Sequence, residues 1–194
     1  DGGDLNLTRH DTVLDVPDGW SWPEAGGFVE VFATAHDALF TQAELLAGER
    51  LLVNGAAGGV GVAAVQLAIA AGAEVTANAR HHHDELRALG ADDTVDGAYD
   101  VILELVGGEN LAANLERLAP KGRIAVIGVG AGRQGLIDFG LLMRARGRIH
   151  GSQLRGRSDA EKAEVIRLLG ETLARHDFHV PVDTTFPLDQ AQDA

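Results

Sequence analysis

Leu51-Leu52-Val53-Asn54 is a short apolar run of strand length, and a glycine-rich turn and the apolar stretch from Val62 to Ala71 follow it. Further strand candidates recur at 74–77, 100–105 and 123–128, and another runs from Arg148 to Leu154. Helical spacing between them predicts helices over 60–71, 84–89 and 109–118, the last closed by Pro120 and Gly122. A further helix is predicted from about Glu30 to Leu46, with Gly48 as its stop. Ser158-Asp159-Ala160-Glu161 is a capping box, which opens a helix running to about Arg175. Residues 1–28 read as a loop-rich lead-in with a short strand at 12–16, and residues 180–186 as an extended stretch interrupted by Pro181. Strands that alternate with helices imply right-handed crossovers. The fold expected is α/β, a Rossmann-type doubly wound parallel sheet with helices on both faces.

At 194 residues the chain has room for one well-buried domain and fragments of a second. Its net charge of −13 speaks against a nucleic-acid-binding face, which needs a basic stripe, and against docking on anionic membranes. No apolar run approaches the roughly 18 residues of a membrane span, and no signal segment opens the chain, so the expected location is cytoplasmic. The absence of cysteine removes disulfides and thiolate zinc sites together.

The turn after the first central strand carries the chemistry. Ala56-Ala57-Gly58-Gly59-Val60-Gly61 sits between a strand and a helix, the context in which a glycine triplet reads as a dinucleotide fingerprint, here as Ala-x-Gly-x-x-Gly. Gly58 lets the backbone approach a pyrophosphate, and Gly61 lets the helix pack closely on its strand. The helix N–H groups and dipole then face the phosphates, with Ala57, Gly59 and Val60 completing the cradle. Twenty residues past Gly58, where a NAD site carries an acid, this chain has Asn78, followed by Arg80 and His81. A carboxylate would repel a 2′-phosphate and an arginine would receive it, so the expected cofactor is NADP(H), with Arg80 as ligand and His81 as helper. His81-His82-His83 are successive residues of a turn and point in different directions, which favours a solvated loop over a metal site. Two further glycine turns, Leu105-Val106-Gly107-Gly108 and Gly128-Val129-Gly130, fall where later strands end. One reading places Val106 near the dinucleotide ribose and Gly128, Val129 and Gly130 near the nicotinamide; the other makes both ordinary turns that need positive φ.

With Val65-Gln66-Leu67-Ala68, Leu89-Gly90-Ala91-Asp92, Leu105-Val106-Gly107-Gly108 and Gly122-Arg123-Ile124 added, the chain resembles the cofactor-binding domain of medium-chain dehydrogenases/reductases, in the zinc-independent quinone oxidoreductase branch. Gly151-Ser152-Gln153-Leu154-Arg155 is similar to the p53-inducible quinone oxidoreductase subgroup. The resemblance implies hydride transfer from NADPH to a quinone or conjugated enone, no zinc, and Thr34 either at the nicotinamide or its phosphate or simply capping or packing its helix. It also implies a division into the tail of a GroES-like catalytic domain (1–28), the dinucleotide-binding Rossmann domain (29–175) and a segment returning to the catalytic domain (176–194). Asn78-Ala79-Arg80-His81 departs from the family, whose members often carry Gly-Ser and then a lysine there. No residue reads as the general acid, so this stretch by itself is expected to be inactive. Tyr99 is followed at the fourth position by Leu103, which removes the Tyr-x-x-x-Lys pair of short-chain dehydrogenases. A non-catalytic dinucleotide-binding module and an enoyl-reductase domain of a polyketide synthase remain as alternatives. The strand from Arg148 to Leu154 is expected at the sheet edge, where a second copy pairs to give a homodimer, as relatives commonly do.

Overall fold

In the computed structural model, which describes residues 10–190 and Gln192, the apolar runs become five parallel strands. They are β1 (Arg50–Asn54), β2 (Glu74–Asn78), β3 (Tyr99–Glu104), β4 (Leu118–Val126) and β5 (Arg148–Gly151), in the order β2-β1-β3-β4-β5. Asp92, outside the named strands, makes a single parallel bridge to Thr76 of β2. The chain steps from β1 to β2, then returns to the other side of β1 with β3, so the order reverses between β1 and β3. Side chains of successive strand residues point to opposite faces. Leu51, Val53, Val101 and Leu103 accordingly pack with α1 (Trp22–His36), α2 (Gly59–Ala70), α3 (His83–Ala88) and α6 (Asp159–Leu173). Leu52, Ile102 and Ile124 pack on the other face with α4 (Leu111–Glu116) and α5 (Phe139–Ala145). The doubly wound parallel sheet expected from the sequence is the one observed.

Local departures have local causes. Helix α1 begins at Trp22, inside the stretch read as loop, because Ser21 and Glu24 cap it reciprocally: the Glu24 N–H reaches the Ser21 hydroxyl at 3.4 Å and the Ser21 N–H reaches Glu24 Oε2 at 2.7 Å. It continues as a π-helical stretch, Asp37–Gln42. No strand forms at 12–16; a 3-10 turn, His10–Thr12, stands at its start. The helix expected over 109–118 covers only Leu111–Glu116, and Pro120 and Gly122 lie within β4 instead of closing it. Pairing with β3 slips between Tyr99 and Val101, so the irregular part of the ladder absorbs Pro120, which has no N–H, and Lys121, which has φ +66°. Helix α5 had no counterpart in the sequence reading; its cap is Asp138, whose Oδ1 accepts the Leu141 N–H at 3.0 Å. The capping box at Ser158 and Glu161 opens α6 as expected. The edge strand stops at Gly151, short of Leu154, which belongs to the 3-10 turn Leu154–Gly156.

Three long-range polar contacts tie the layers together. Arg123 of β4 is buried, and its Nε donates to the Ala43 carbonyl (2.7 Å) while its two Nη atoms grip Glu49 Oε1 (2.7 Å) and Oε2 (2.8 Å). Arg157 pairs with the fully buried Asp37 at 2.9 Å, joining the end of α1 to the loop after β5. Gln66 of α2 clamps the backbone of His179 with both ends of its amide, donating to the carbonyl (2.8 Å) and accepting the N–H (2.7 Å). That clamp fixes residues 179–183 over α2.

Arg123→Met is expected to cost about 3–5 kcal/mol, because it removes the charged partner of Glu49 and the donors to the Ala43, Glu44 and Asp100 carbonyls, read as a lower denaturant midpoint. Arg123 holds the Glu49 carboxyl below the usual carboxylate range through its side-chain hydrogen bonds. A depressed folded-state pKa contributes stability that is present above the unfolded pKa and is lost as pH falls through the folded one. The stability gap between wild type and Glu49→Gln should therefore close on acidification below the usual carboxylate range; a gap that does not change with pH contradicts the assignment.

Candidate functional site

β1 ends in Asn54, and the chain then turns over the sheet edge into α2. The left-handed position of this turn is Gly55, at φ +82°, and its N–H and that of Ala56 both reach the Asn78 carbonyl of β2, at 3.0 and 3.2 Å. Ala56 replaces the expected glycine without strain because the positive φ falls one residue earlier. At Gly61 an added Cβ would stand 2.5 Å from the Gly55 carbonyl and 2.6 Å from Ala56 Cα, so only glycine lets α2 close on the turn. Gly58 differs: a Cβ there would meet only the Gly55 oxygen, at 3.6 Å, and the residue is exposed. Gly58 is the N-cap of α2 with extended backbone and no side-chain cap. The first-turn N–H groups of this twelve-residue helix are left without intrahelical acceptors and carry its positive dipole end. Those open donors suit an anion.

The other predicted residues gather around this turn to different degrees. Val106 is against it: its Cγ2 would lie 3.1 Å from a Cβ on Gly55. The two later glycine turns interlock through backbone. The Ala131 N–H reaches the Val106 carbonyl and the Gly108 N–H reaches the Gly132 carbonyl, both at 2.9 Å. A Cβ on Gly128 would overlap the Leu105 carbonyl oxygen, at 1.9 Å. Gly128 is thus required by packing of one turn on the other, whereas Val129 is exposed and a Cβ on Gly130 would meet nothing. Thr34 is half-buried on α1, one turn beyond Val31, whose Cγ1 stands 3.1 Å from a Cβ on Gly59. Arg80 and His81 follow Asn78 on an exposed loop, and among the described residues no hydrogen bond or ion pair ties them to the turn. The histidine triplet diverges: His81 stacks on His82, His82 Nδ1 meets Glu85 Oε1 at 3.1 Å, and His83 faces Asp93.

Beneath this rim lies a polar centre of which the sequence named only Asn54, as a strand residue, and Asn78, as a candidate cofactor residue. Asn78, Asn54 and Glu104 occupy matching register positions on the adjacent strands β2, β1 and β3. Glu104 is 2% exposed, and both of its oxygens are saturated. Oε1 accepts the N–H groups of Val106 (2.7 Å) and Gly107 (2.9 Å) and the Asn110 amide (3.2 Å). Oε2 accepts the Asn54 and Asn114 amides, at 2.9 and 2.8 Å. The carboxylate therefore fixes the β3 turn, and with it Val106. Its one visible signal in the sequence is a polar residue ending each of two otherwise apolar strands. A cleft of about 790 Å³ opens beside the fingerprint between Gly59, Leu86 and the 179–183 segment.

A family described as zinc-binding dehydrogenase matches residues 59–171. Among curated proteins, the chain is similar to the spectinabilin polyketide synthase system protein NorB of Streptomyces orinoci, with 39% identity over 65% of this chain and 6% of that protein. It is also similar to the erythronolide synthase EryA2 of Saccharopolyspora erythraea, with 37% identity over 84% of this chain and 5% of that one. Among solved structures, the CurK enoyl reductase superposes with a TM-score of 0.78 at 28% identity, covering 94% of this chain and 60% of its own. The quinone oxidoreductase of Thermus thermophilus, solved also in complex with NADPH, gives 0.72 at 31% identity, covering 84% and 57%. The chain thus spans a small fraction of these curated relatives and just over half of these solved ones. The family's name implies zinc, but the chain has no cysteine, and among the described residues no three His, Asp or Glu side chains converge as a metal requires. The residues present do not fit that ion. The open start of α2, the Gly61 contact and the glycine turns do fit a dinucleotide, and with the match over 59–171 they establish that the chain belongs to the zinc-binding dehydrogenase family, within the medium-chain dehydrogenases/reductases.

Proposed function

We propose that this chain is the cofactor-binding part of an NADPH-dependent reductase acting on a conjugated carbonyl, either a quinone or an enone. The observation that carries the reading is the uncapped, glycine-opened start of α2 at the point where the strand order reverses, the place where doubly wound sheets bind dinucleotides. The first-turn N–H groups of α2 would hold the pyrophosphate, and Arg80 the 2′-phosphate. Val106 would lie along the ribose, with Gly128, Val129, Gly130 and Thr34 toward the nicotinamide. The bound cofactor supplies a hydride; the protein orients it and keeps the crevice dry. Reduction of the conjugated carbonyl would take that hydride and one proton, the latter from solvent or from the remainder of the enzyme. No metal enters.

A second reading, the enoyl-reductase domain of a polyketide synthase, draws on the spectinabilin and erythronolide relatives and on CurK. Both readings share the cofactor and the hydride step. They separate when the full-length protein is offered an ortho-quinone and an α,β-unsaturated thioester with NADPH. Faster turnover of the quinone supports the first reading, and faster turnover of the thioester the second. Consumption of neither overturns both.

The cofactor assignment has its own check. Arg80→Ala should weaken NADPH binding about tenfold or more, the worth of a charge-assisted hydrogen bond, and leave NADH nearly unchanged in a fluorescence titration. Equal binding of NADH and NADPH by the unmodified protein would refute the preference.

A homodimer through β5 belongs to the same proposal. β5 pairs only with β4 among the described strands, so its outer edge is an unpaired ladder to which a two-fold copy can add. Light scattering should give twice the chain's 20.4 kDa, and Ile149→Pro, which removes a ladder donor, should halve that mass while sparing cofactor binding. A monomer before substitution contradicts it.

A further inference from the structure

The row of polar residues across the carboxyl edge of the sheet is a chain of amides with a fixed direction. Asn54 donates both protons of its amide nitrogen, one to Glu104 Oε2 (2.9 Å) and one to Asn114 Oδ1 (2.8 Å). Asn114 in turn donates to the same Glu104 oxygen at 2.8 Å. A reversed Asn54 would set its own oxygen against the carboxylate and against the Asn114 oxygen, two acceptors facing a third. Its orientation is therefore imposed by Glu104. The Asn54 oxygen then faces β2, where Asn78 Nδ2 donates to it at 2.8 Å. A reversed Asn78 would again oppose oxygen to oxygen. Asn78 consequently turns its Oδ1 away from Asn54, at the exposed end of β2, with no protein partner among the described residues.

We infer that Glu104 is a positioning residue for cofactor selectivity, acting through the relay Glu104–Asn54–Asn78 to present a carbonyl oxygen where the adenosine ribose lies. The inference rests on the cofactor reading proposed above. An oxygen there accepts a hydrogen bond from a ribose hydroxyl and repels a phosphate. NADH offers hydroxyls at both the 2′ and 3′ positions, and NADPH only at the 3′. The relay therefore favours NADH at this one atom and works against Arg80, two residues on, which favours the 2′-phosphate. The preference of the site is the difference between the two.

Because the direction originates in an acceptor-only group, exchanging one atom can reverse it. In Glu104→Gln the new amide keeps its oxygen toward the Val106 and Gly107 N–H groups, so its nitrogen faces Asn54 and Asn114. Both asparagines must then present oxygens to it. Asn54 turns its nitrogen toward β2, and Asn78 turns its oxygen inward and its nitrogen outward. The ribose position changes from acceptor to donor without a change of shape.

The experiment measures dissociation constants of NADPH and NADH for the full-length protein, wild type, Glu104→Gln, Asn78→Ala and the double variant. Any loosening of the Val106 turn weakens both cofactors alike, so the ratio of the two affinities reports the relay alone. Glu104→Gln should shift the ratio toward NADPH by about two- to tenfold, the range of one net hydrogen bond. Asn78→Ala should shift it the same way by removing the acceptor, and Glu104→Gln should add no further shift to the ratio in that background. Asn78 is exposed, so its variant reads the relay even if Glu104→Gln fails to fold. A ratio unchanged in Asn78→Ala, or a Glu104→Gln effect that persists without Asn78, overturns the relay. Loss of binding for both nucleotides by the wild-type protein overturns the cofactor reading instead.

Discussion

A carboxylate buried at the point where the sheet reverses direction constrains everything built above it. Removing such a charge from water costs several kcal/mol unless its oxygens are fully hydrogen-bonded, and Glu104 meets this condition with five donors. Those donors come from β1, from the turn after β3, from the 3-10 turn before α4 and from α4 itself. The need to satisfy one group therefore brings four segments to a common point. The turn that carries Val106 is held by its own strand's last side chain, and Gly55 is pressed against it. The fingerprint turn is in this way positioned by a residue outside the fingerprint.

Glycines divide into two kinds around this centre. Gly61, Gly107, Gly108, Gly128 and Gly135 sit where an added Cβ would lie within 3 Å of backbone atoms, so they exist for chain-to-chain packing. Gly58 and Gly130 have room around them. The first group fixes the floor of the crevice; the second leaves its surface bare. A glycine-rich sequence alone does not separate them, because both kinds satisfy the same pattern.

What the sequence disclosed follows from this difference. Leu51-Leu52-Val53 and Val101-Ile102-Leu103 announce their strands because burial on both faces excludes polar residues from them. Gly58 and Gly61 announce the helix start because the turn geometry admits nothing larger at Gly61. The start of α1 was also written in the chain, as Ser21 and Glu24, but surrounding glycines and tryptophans masked its period. Pro120 read as a helix stop because its effect depends on the ladder slip between Tyr99 and Val101, which is a tertiary fact. The Glu104 centre was hidden for a similar reason: Asn54, Glu104 and Asn114 are ordinary residues far apart in sequence, and only strand order makes them neighbours.

The rigid floor and the exposed rim divide affinity from selectivity. The helix N-terminus and Gly61 are fixed by backbone geometry, and on the cofactor reading proposed above they would accept any dinucleotide pyrophosphate. On that reading discrimination would fall to side chains at the end of β2, where Asn78 is held by the buried network and Arg80 is exposed, without a protein partner among the described residues. An ion pair in water is worth little, because screening and side-chain entropy offset most of its attraction. A neutral amide locked by a buried network has lost that entropy before any ligand arrives, so on the cofactor reading proposed above its single hydrogen bond would offset part of the arginine's attraction. Substitutions at Asn78, the last residue of β2, and at Arg80, two residues on, would thus retune the proposed cofactor preference without disturbing the core.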